Sequence, residues 1–176
     1  MRAITSDTLK AAIRDVPDFP KPGILFKDIT PILKDPALFR GAIELFAAHH
    51  RGQKIAKIAV IDARGFLFGS ALALALDAGL VPIRKKGKLP YRTFEESYAL
   101  EYGTATLSVH VDAFERGEPV LLVDDLLATG GTAAASASLI ERAGGRVIGI
   151  DFLIELAFLK GRDKLGAYPL FAPIVF

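Results

Sequence analysis

Short, continuous runs of apolar residues alternate along most of the chain with stretches in which apolar residues recur at helical spacing. The apolar runs predict buried β-strands at 57–61, 80–84, 120–123 and 146–153. The helical stretches predict α-helices at 5–14, 36–51, 66–78 and 132–143. This alternation is typical of an α/β fold in which helices cover both faces of a mainly parallel sheet.

Two segments depart from this alternation. After the predicted helix 5–14, the chain up to residue 31 is predicted to be extended because prolines recur through it: Pro17, Pro20, Pro22 and Pro31. A long insertion, 85–103, separates the second and third predicted strands, and the weakly alternating residues 104–112 follow it. Structureless stretches of this length are often active-site lids, so we expect a mobile arm that returns on a strand.

Size and composition limit the classes of protein to be considered. The 176 residues are expected to form a single domain, 1–176, and the net charge of +2 gives no indication of binding to nucleic acid or a membrane. The chain has no cysteine, which excludes disulfides and suits a cytoplasmic location, and residues 1–10 do not resemble a signal peptide. Hydrophobic residues make up 51% of the chain, more than a small core needs, so we expect a homodimer.

The most informative motif follows the predicted strand 120–123. Asp124 and Asp125 come directly after this strand, where carboxylates can accept hydrogen bonds from ribose hydroxyls or bring a metal to them. A glycine pair then opens the next helix, so that backbone amides and the helix dipole can bind a phosphate. The motif predicts a sugar-phosphate site formed by Asp124, Asp125, Ala128, Thr129, Gly130, Gly131 and Thr132.

Other interpretations of this motif fit less well. The ATP-binding P-loop needs a lysine before its final Ser or Thr, and a dinucleotide site needs G-x-G-x-x-G after a strand; the chain has neither pattern. The aspartates could merely cap the helix. Capping, however, uses one short polar residue and does not explain two adjacent aspartates beside a Gly-Gly turn.

Two cationic segments could bind further anionic groups. Arg64 follows the strand 57–61 and is a candidate pyrophosphate clamp, because a planar guanidinium grips phosphate oxygens in bidentate fashion. The alternative is a surface arginine that caps the next helix. The cation-rich run 84–88 leaves a strand and enters the insertion, where it could close over a pyrophosphate, although such runs are usually solvated.

Two segments of the chain resemble a known family. The segment 120–132, VLLVDDLLATGGT, resembles the phosphoribosyl pyrophosphate motif of the type I phosphoribosyltransferases. The segment 19–31, FPKPGILFKDITP, resembles the adenine-specific branch of that family. The resemblance implies the type I phosphoribosyltransferase fold, with a mainly parallel central sheet flanked by helices, a flexible lid at 85–103 and a small base-binding hood to which residues 1–35 contribute.

The resemblance also implies a reaction. A Mg²⁺-dependent enzyme would transfer the 5-phosphoribosyl group from phosphoribosyl pyrophosphate to adenine, giving AMP and pyrophosphate. Substrate and water would hold the Mg²⁺, so no direct protein ligand is expected. Asp124 and Asp125 would hold the ribose, and the pyrophosphate would be bound by Ala63, Arg64, Arg84 and Lys88.

A further set of residues is implied to bind adenine. Phe26 would stack on the base, backbone groups of Leu25 and Lys27 would read its edge, and Leu156 would cover its other face. Taken without the resemblance, Phe26 would be interpreted as a core phenylalanine.

The end of the insertion is implied to act on a proton. Glu101 would take up or relay the proton on the purine nitrogens, as a catalytic residue together with Arg64, Asp124 and Asp125, and Tyr102 would belong to the lid. In isolation, a glutamate in such a polar loop would be interpreted as a surface residue.

Two alternative functions stay open at the level of the sequence. The base could be a 6-oxo purine, although the segment 19–31 argues against it. The chain could also be a regulator that senses phosphoribosyl pyrophosphate and binds nucleic acid, but it has neither a spare domain nor a large net charge. The histidines match no site of the family, and His49 and His50 are predicted to lie on a helix surface.

Overall fold

The computed structural model describes residues 4–99 and 103–176. The chain forms two compact units, Met1–Arg51 and Gly52–Phe176. The first unit therefore extends beyond the segment 1–35 that was expected to contribute the base-binding hood.

Three helices and a small sheet form the first unit. Their bounds are α1 Ser6–Ala12, β1 Arg14–Pro17, β2 Leu25–Asp28, α2 Thr30–Lys34 and α3 Pro36–His49, and β1 and β2 pair antiparallel. The unit's core contains the fully buried side chains of Leu9, Ile32 and Phe46. Asp35 caps α3 by accepting hydrogen bonds from the amides of Ala37 and Leu38, at 2.8 and 3.0 Å.

Two expectations about the first unit are wrong. Pro31 is not in an extended segment but in the first turn of α2, where its missing N–H is tolerated because that turn has no intrahelical acceptor to pair with. His50 is not on a helix surface: it follows the last residue of α3 and is 4% exposed, whereas the side chain of His49 is exposed.

An eight-stranded mixed sheet forms the second unit, with the order β10-β8-β7-β3-β4-β6-β5 and β9 beside β8. The strands are β3 Lys57–Ile61, β4 Gly79–Lys85, β5 Thr93–Ala99, β6 Thr104–His110, β7 Pro119–Leu127, β8 Arg146–Glu155, β9 Leu170–Phe171 and β10 Ile174–Val175. The pairs β4–β6 and β5–β6 are antiparallel and all others are parallel. The predicted α/β fold with a mainly parallel sheet is thus confirmed.

Helices α4 Gly65–Ala75 and α5 Gly131–Arg142 cover opposite faces of this sheet. Gly69 of α4 lies against Ile58 and Val60 of β3, whereas Ala59 and Ile61 belong to the cluster that packs on α5. Two 3₁₀ helices, Ala157–Leu159 and Gly161–Lys164, follow β8. Within the described ranges, no helix combines the length and the apolar character that crossing a membrane requires.

Two elements of the second unit differ from the sequence-based prediction. Strand β7 continues to Leu127, so that Asp124 and Asp125 lie within the strand, and Asp124 pairs with Phe152 of β8. The predicted structureless insertion contains β5, which pairs along its whole length with β6. The charged residues of β5 made this segment resemble a solvent-exposed loop. Glu96 is accommodated in the strand because it forms an ion pair with Arg142 of α5, a contact that the local sequence does not show.

Candidate active site

A cavity of about 200 Å³ lies where β7 leads into α5. Its wall brings together Arg64 and all of the residues that the motif assigned to a sugar phosphate: Asp124, Asp125, Ala128, Thr129, Gly130, Gly131 and Thr132. Phe152 of β8, a residue that the sequence did not indicate, also lines the cavity and is 1% exposed. The cavity thus lies at the carboxyl ends of the parallel strands, which is where sheets of this kind bind ligands.

The acidic pair occupies strand positions next to the start of α4. Gly65 makes this approach possible, because a Cβ atom there would lie 2.9 Å from the Val123 carbonyl oxygen and 3.0 Å from Oδ1 of Asp124. The amide of Asp125 donates a hydrogen bond to Oδ1 of Asp124 at 2.9 Å. Backbone packing therefore fixes where the carboxylates point.

Desolvation and charge act together on the two carboxyl groups. Burial raises the pKa of Asp124 well above its ordinary value of 3.8, and the negative charge of Asp125 raises it further. Burial also raises the pKa of Asp125, and the guanidinium of Arg64 opposes that shift. The Nε atom of Arg64 lies 2.9 Å from Oδ2 of Asp125. Keeping both carboxyl groups ionised is therefore costly, and the Arg64 guanidinium offsets part of that cost. Buried carboxyl groups with pKa values shifted in this way are typical of functional sites.

The turn before α5 is shaped for close approach of an anion. Gly130 has a φ of +77°, and a Cβ atom at this position would collide with the carbonyl oxygen of Gly161. Gly130 is also the N-cap of α5, and no described side chain caps the helix there. The capping interpretation of the aspartates is therefore excluded, and the first amides of α5 face the cavity without a side-chain acceptor.

The residues predicted to bind pyrophosphate are held differently. Nε of Arg84 lies 2.9 Å from Oδ2 of Asp62, and its Nη1 donates to the backbone oxygen of Lys88 at 3.1 Å. Asp62 directly precedes Ala63 and Arg64, and the Asp62–Ala63 peptide bond is cis. Arg84 and Lys88 do not line the cavity of about 200 Å³; Arg84 instead lies beside the loop that follows β3.

The predicted adenine residues lie in both units. Leu25, Phe26 and Lys27 form most of β2, and the Phe26 ring meets the ring of Phe19 edge-on, with 5.2 Å between centroids. The Lys27 side chain is 9% exposed and its Nζ lies 2.6 Å from Oδ1 of Asp15, so its charge is already paired. In the second unit, Leu156 follows β8.

Two of the predicted residues lie outside the described part of the chain, and two other residues were not predicted. Glu101 and Tyr102 lie outside the described residues. The sequence assigned no role to Asp62, which anchors Arg84, or to Tyr98, whose hydroxyl lies 3.0 Å from Oγ1 of Thr132. Asp62 could have been found, because it directly follows a buried strand at the ligand edge; Tyr98 could not, since its partner is 34 residues away.

A larger cavity, of about 300 Å³, lies at the other edge of the sheet. It is lined by residues from the starts of β3 and β4, among them Lys57 and Gly79, and by His110 and Asp112. The amino ends of parallel strands offer no helix N-terminus to a phosphate, so this cavity does not compete with the one beside α5.

Comparisons with known proteins agree with this geometry. The model of the phosphoribosyl transferase domain family matches residues 28–168. The chain is 55% identical over 161 residues to adenine phosphoribosyltransferase from Acidothermus cellulolyticus, covering 92% of this chain and 91% of the relative.

Two solved structures extend the likeness to the fold. Adenine phosphoribosyltransferase from Thermoanaerobacter pseudethanolicus has a TM-score of 0.95 and 53% identity, with 98% of this chain and 100% of the other covered. The Saccharomyces cerevisiae enzyme, in complex with an imino-altritol bisphosphate and adenine, has a TM-score of 0.91 and 43% identity, with coverages of 95% and 97%.

Proposed function

The chain belongs to the adenine phosphoribosyltransferases, enzymes of purine salvage that form AMP, and we propose that the cavity between β7 and α5 is where this chain holds the phosphoribosyl group. The observation that supports the assignment is the meeting of three features in one wall: adjacent carboxylates, an arginine and the uncapped start of a helix. The high identity to adenine-specific relatives also favours adenine over a 6-oxo purine.

The carboxylates would bind the ribose, and the start of α5 would bind the 5′-phosphate. Asp124 and Asp125 accept hydrogen bonds from the ribose hydroxyls, and the segment 128–132 donates amide and hydroxyl hydrogens to the 5′-phosphate. As pyrophosphate departs, positive charge develops on the ribose ring carbon. The negative charge of the acidic pair stabilises that charge without any rearrangement, because Val123, Gly65 and Arg64 already fix the pair in place.

The leaving group would be bound by Arg84, Lys88, Arg64 and the amide of Ala63. Arg84 is oriented for this task by Asp62, which uses the Nε atom, while the guanidinium retains further donors for phosphate oxygens. The segment 85–103 would cover the site and exclude water that would otherwise attack the ribose carbon.

The proposed cofactor is Mg²⁺. Among the described residues, no group of three or more His, Asp or Glu side chains could hold a metal ion. The ion would arrive with the diphosphate and be held by substrate and water, and Asp124 and Asp125 in the cavity wall would orient the hydroxyls that share it. Bound there, Mg²⁺ would neutralise charge on the leaving group.

Adenine would bind to Leu25, Phe26, Lys27 and Leu156. Because the Lys27 ammonium is paired with Asp15, we propose that Lys27 reads the base through its backbone while Phe26 supplies a stacking face. Glu101 would exchange a proton with the purine, next to Tyr102.

We also propose that the chain works as a cytoplasmic homodimer. Leu67 and Leu74, one heptad apart on α4, are 43% and 87% exposed, and such a face is costly in water. Replacing Leu74 with Asp is expected to shift the protein to a monomer in sedimentation velocity. A wild type that is monomeric at high micromolar concentration would contradict the dimer.

One experiment tests the proposed function directly. Purified protein is mixed with Mg²⁺, phosphoribosyl pyrophosphate and either adenine, hypoxanthine, guanine or xanthine, and nucleotide and pyrophosphate are quantified. AMP with an equal amount of pyrophosphate, and no other nucleotide, is the expected result. Formation of IMP, GMP or XMP at a comparable rate would overturn the adenine pocket but not the phosphoribosyl site.

A further inference from the structure

The hydroxyl of Tyr98 joins strand β5 to the first turn of α5. It lies 3.0 Å from Oγ1 of Thr132, and a Cβ atom on Gly131 would lie 3.6 Å from the Tyr98 ring. The ring also packs against the hydrophobic core of the second unit. The aromatic ring therefore rests over the helix start, and its hydroxyl reaches one of the proposed phosphate ligands.

The direction of the hydrogen bond between Tyr98 and Thr132 depends on which acceptor receives the hydroxyl proton of Thr132. A threonine hydroxyl can donate one hydrogen bond and accept two. If Thr132 donates to a phosphate oxygen, its lone pairs are free to accept the phenolic proton of Tyr98. Hydrogen bonds in such a chain polarise one another, and the negative charge at its end strengthens both.

We propose that Tyr98 is a positioning residue for the 5′-phosphate: it donates to Thr132 and holds the threonine hydroxyl in the orientation that donates to the ligand. This role rests on the proposed function, because it takes the start of α5 as the phosphate site. Ligands with a 5′-phosphate depend on Tyr98, whereas free adenine does not.

A second attachment allows the hydroxyl to be tested alone. Arg142, the last residue of α5, donates to the backbone oxygen of Glu95 at 3.0 Å and pairs with the carboxylate of Glu96. Removing only the Tyr98 hydroxyl leaves this attachment and the packing of the ring intact. Tyr98→Phe is thus expected to fold and to keep β5 beside α5.

The test compares Tyr98→Phe with Tyr168→Phe. Tyr168 lies outside the segment 85–103, its ring also packs against the core of the second unit, and its hydroxyl donates to Oε1 of Glu141 at 3.1 Å. The dissociation constant of ribose 5-phosphate is measured by calorimetry, and KM is measured for phosphoribosyl pyrophosphate and for adenine. Tyr98→Phe is expected to raise the first two values about three- to tenfold, as the loss of one neutral hydrogen bond predicts, with the adenine KM unchanged.

Several outcomes would overturn the role of Tyr98: unchanged affinity for ribose 5-phosphate, an equal loss in Tyr168→Phe, or an equal rise in the adenine KM. In a Thr132→Val background, Tyr98→Phe should have no further effect, and a full-sized effect there would also contradict the proposal. A wild type that binds ribose 5-phosphate in a Tyr98-dependent way but makes no AMP would overturn the proposed function and support the positioning role.

Discussion

Arg64 and Asp125 form an ion pair in the wall of the candidate site, with 2.9 Å between Nε and Oδ2. The two residues belong to neighbouring parallel segments, the loop after β3 and the end of β7. The side chain of Asp125 is 3% exposed and that of Arg64 is 43% exposed, so the ion pair extends from the protein interior to the cavity. A guanidinium has five N–H donors, so Arg64 can keep Asp125 in place and still bind a ligand oxygen.

Asp125→Asn is expected to lower kcat by about 10²- to 10³-fold, the usual cost of removing one preorganised electrostatic group from a site. The asparagine keeps the shape of the side chain, so circular dichroism and the oligomeric state should not change. Asp112→Asn, an exposed aspartate outside this cavity, is the matched control and should retain full turnover. Unchanged turnover in Asp125→Asn would refute the ribose assignment.

Asp124→Asn is expected to stabilise the ligand-free protein at neutral pH while lowering its activity. The pKa of Asp124 is raised in the folded state, so the ionised carboxylate opposes folding above that pKa, and this cost vanishes as the pH falls below the unfolded value near 3.8. The variant should therefore melt roughly 2–4 °C higher at pH 7, the shift that about 1 kcal/mol gives in a protein of this size.

The difference in Tm should shrink as the pH is lowered from 7 towards 4. Thermal unfolding of both proteins across that range measures it. Asp125→Asn should raise the Tm by less than Asp124→Asn does, because it leaves the Arg64 guanidinium without its carboxylate partner. A Tm difference that grows on acidification would show that the carboxylate of Asp124 stabilises the fold.

The parts of the fold that were predictable are those whose signal is local. Strand β3 has its predicted bounds, 57–61, because a strand buried on both faces is a continuous apolar run. The end of β7 was missed since Asp124 and Asp125 break that run, and the strand is revealed by its pairing with β8, which continues from Asp124 and Phe152 to Leu127 and Glu155. The grouping of residues 128–132 in one cavity wall could be predicted because they are consecutive, whereas the contact of Asp62 with Arg84 depends on how two strands lie together.

Gly65→Ala is expected to damage both stability and activity. The new methyl group would meet the Val123 carbonyl oxygen and Asp124 at 2.9–3.0 Å, so α4 or β7 must shift, at a cost of about 1–3 kcal/mol. Urea unfolding gives the loss of stability, and kcat reports the displaced carboxylate. Gly166→Ala is the control, because a Cβ atom at Gly166 meets nothing within 4 Å. Equal effects of the two changes would contradict the packing argument.

Glu155→Gln is expected to destabilise the segment that supports the phosphate turn. Glu155 is 5% exposed and accepts three hydrogen bonds from Arg162, at 2.6–2.8 Å. Gly161, the residue before Arg162, packs against Gly130, so the ion pair holds the 3₁₀ segment under the turn that opens α5.

Loss of the charge on Glu155 should cost about 1–3 kcal/mol, because its side chain is 6% exposed and charge-assisted hydrogen bonds are lost, while the 48% exposed Arg162 side chain regains part of the loss from water. The exposed pair of Glu95 and Lys86, 2.8 Å apart, offers the comparison: Glu95→Gln should cost less than about 1 kcal/mol. Chemical denaturation measures both values. Because Gly130 belongs to the proposed phosphate site, Glu155→Gln should also weaken ribose 5-phosphate binding under conditions in which the protein is still folded, whereas Glu95→Gln should not. A destabilised Glu155→Gln with normal ligand affinity would mean that the 3₁₀ segment stabilises the fold without positioning the turn.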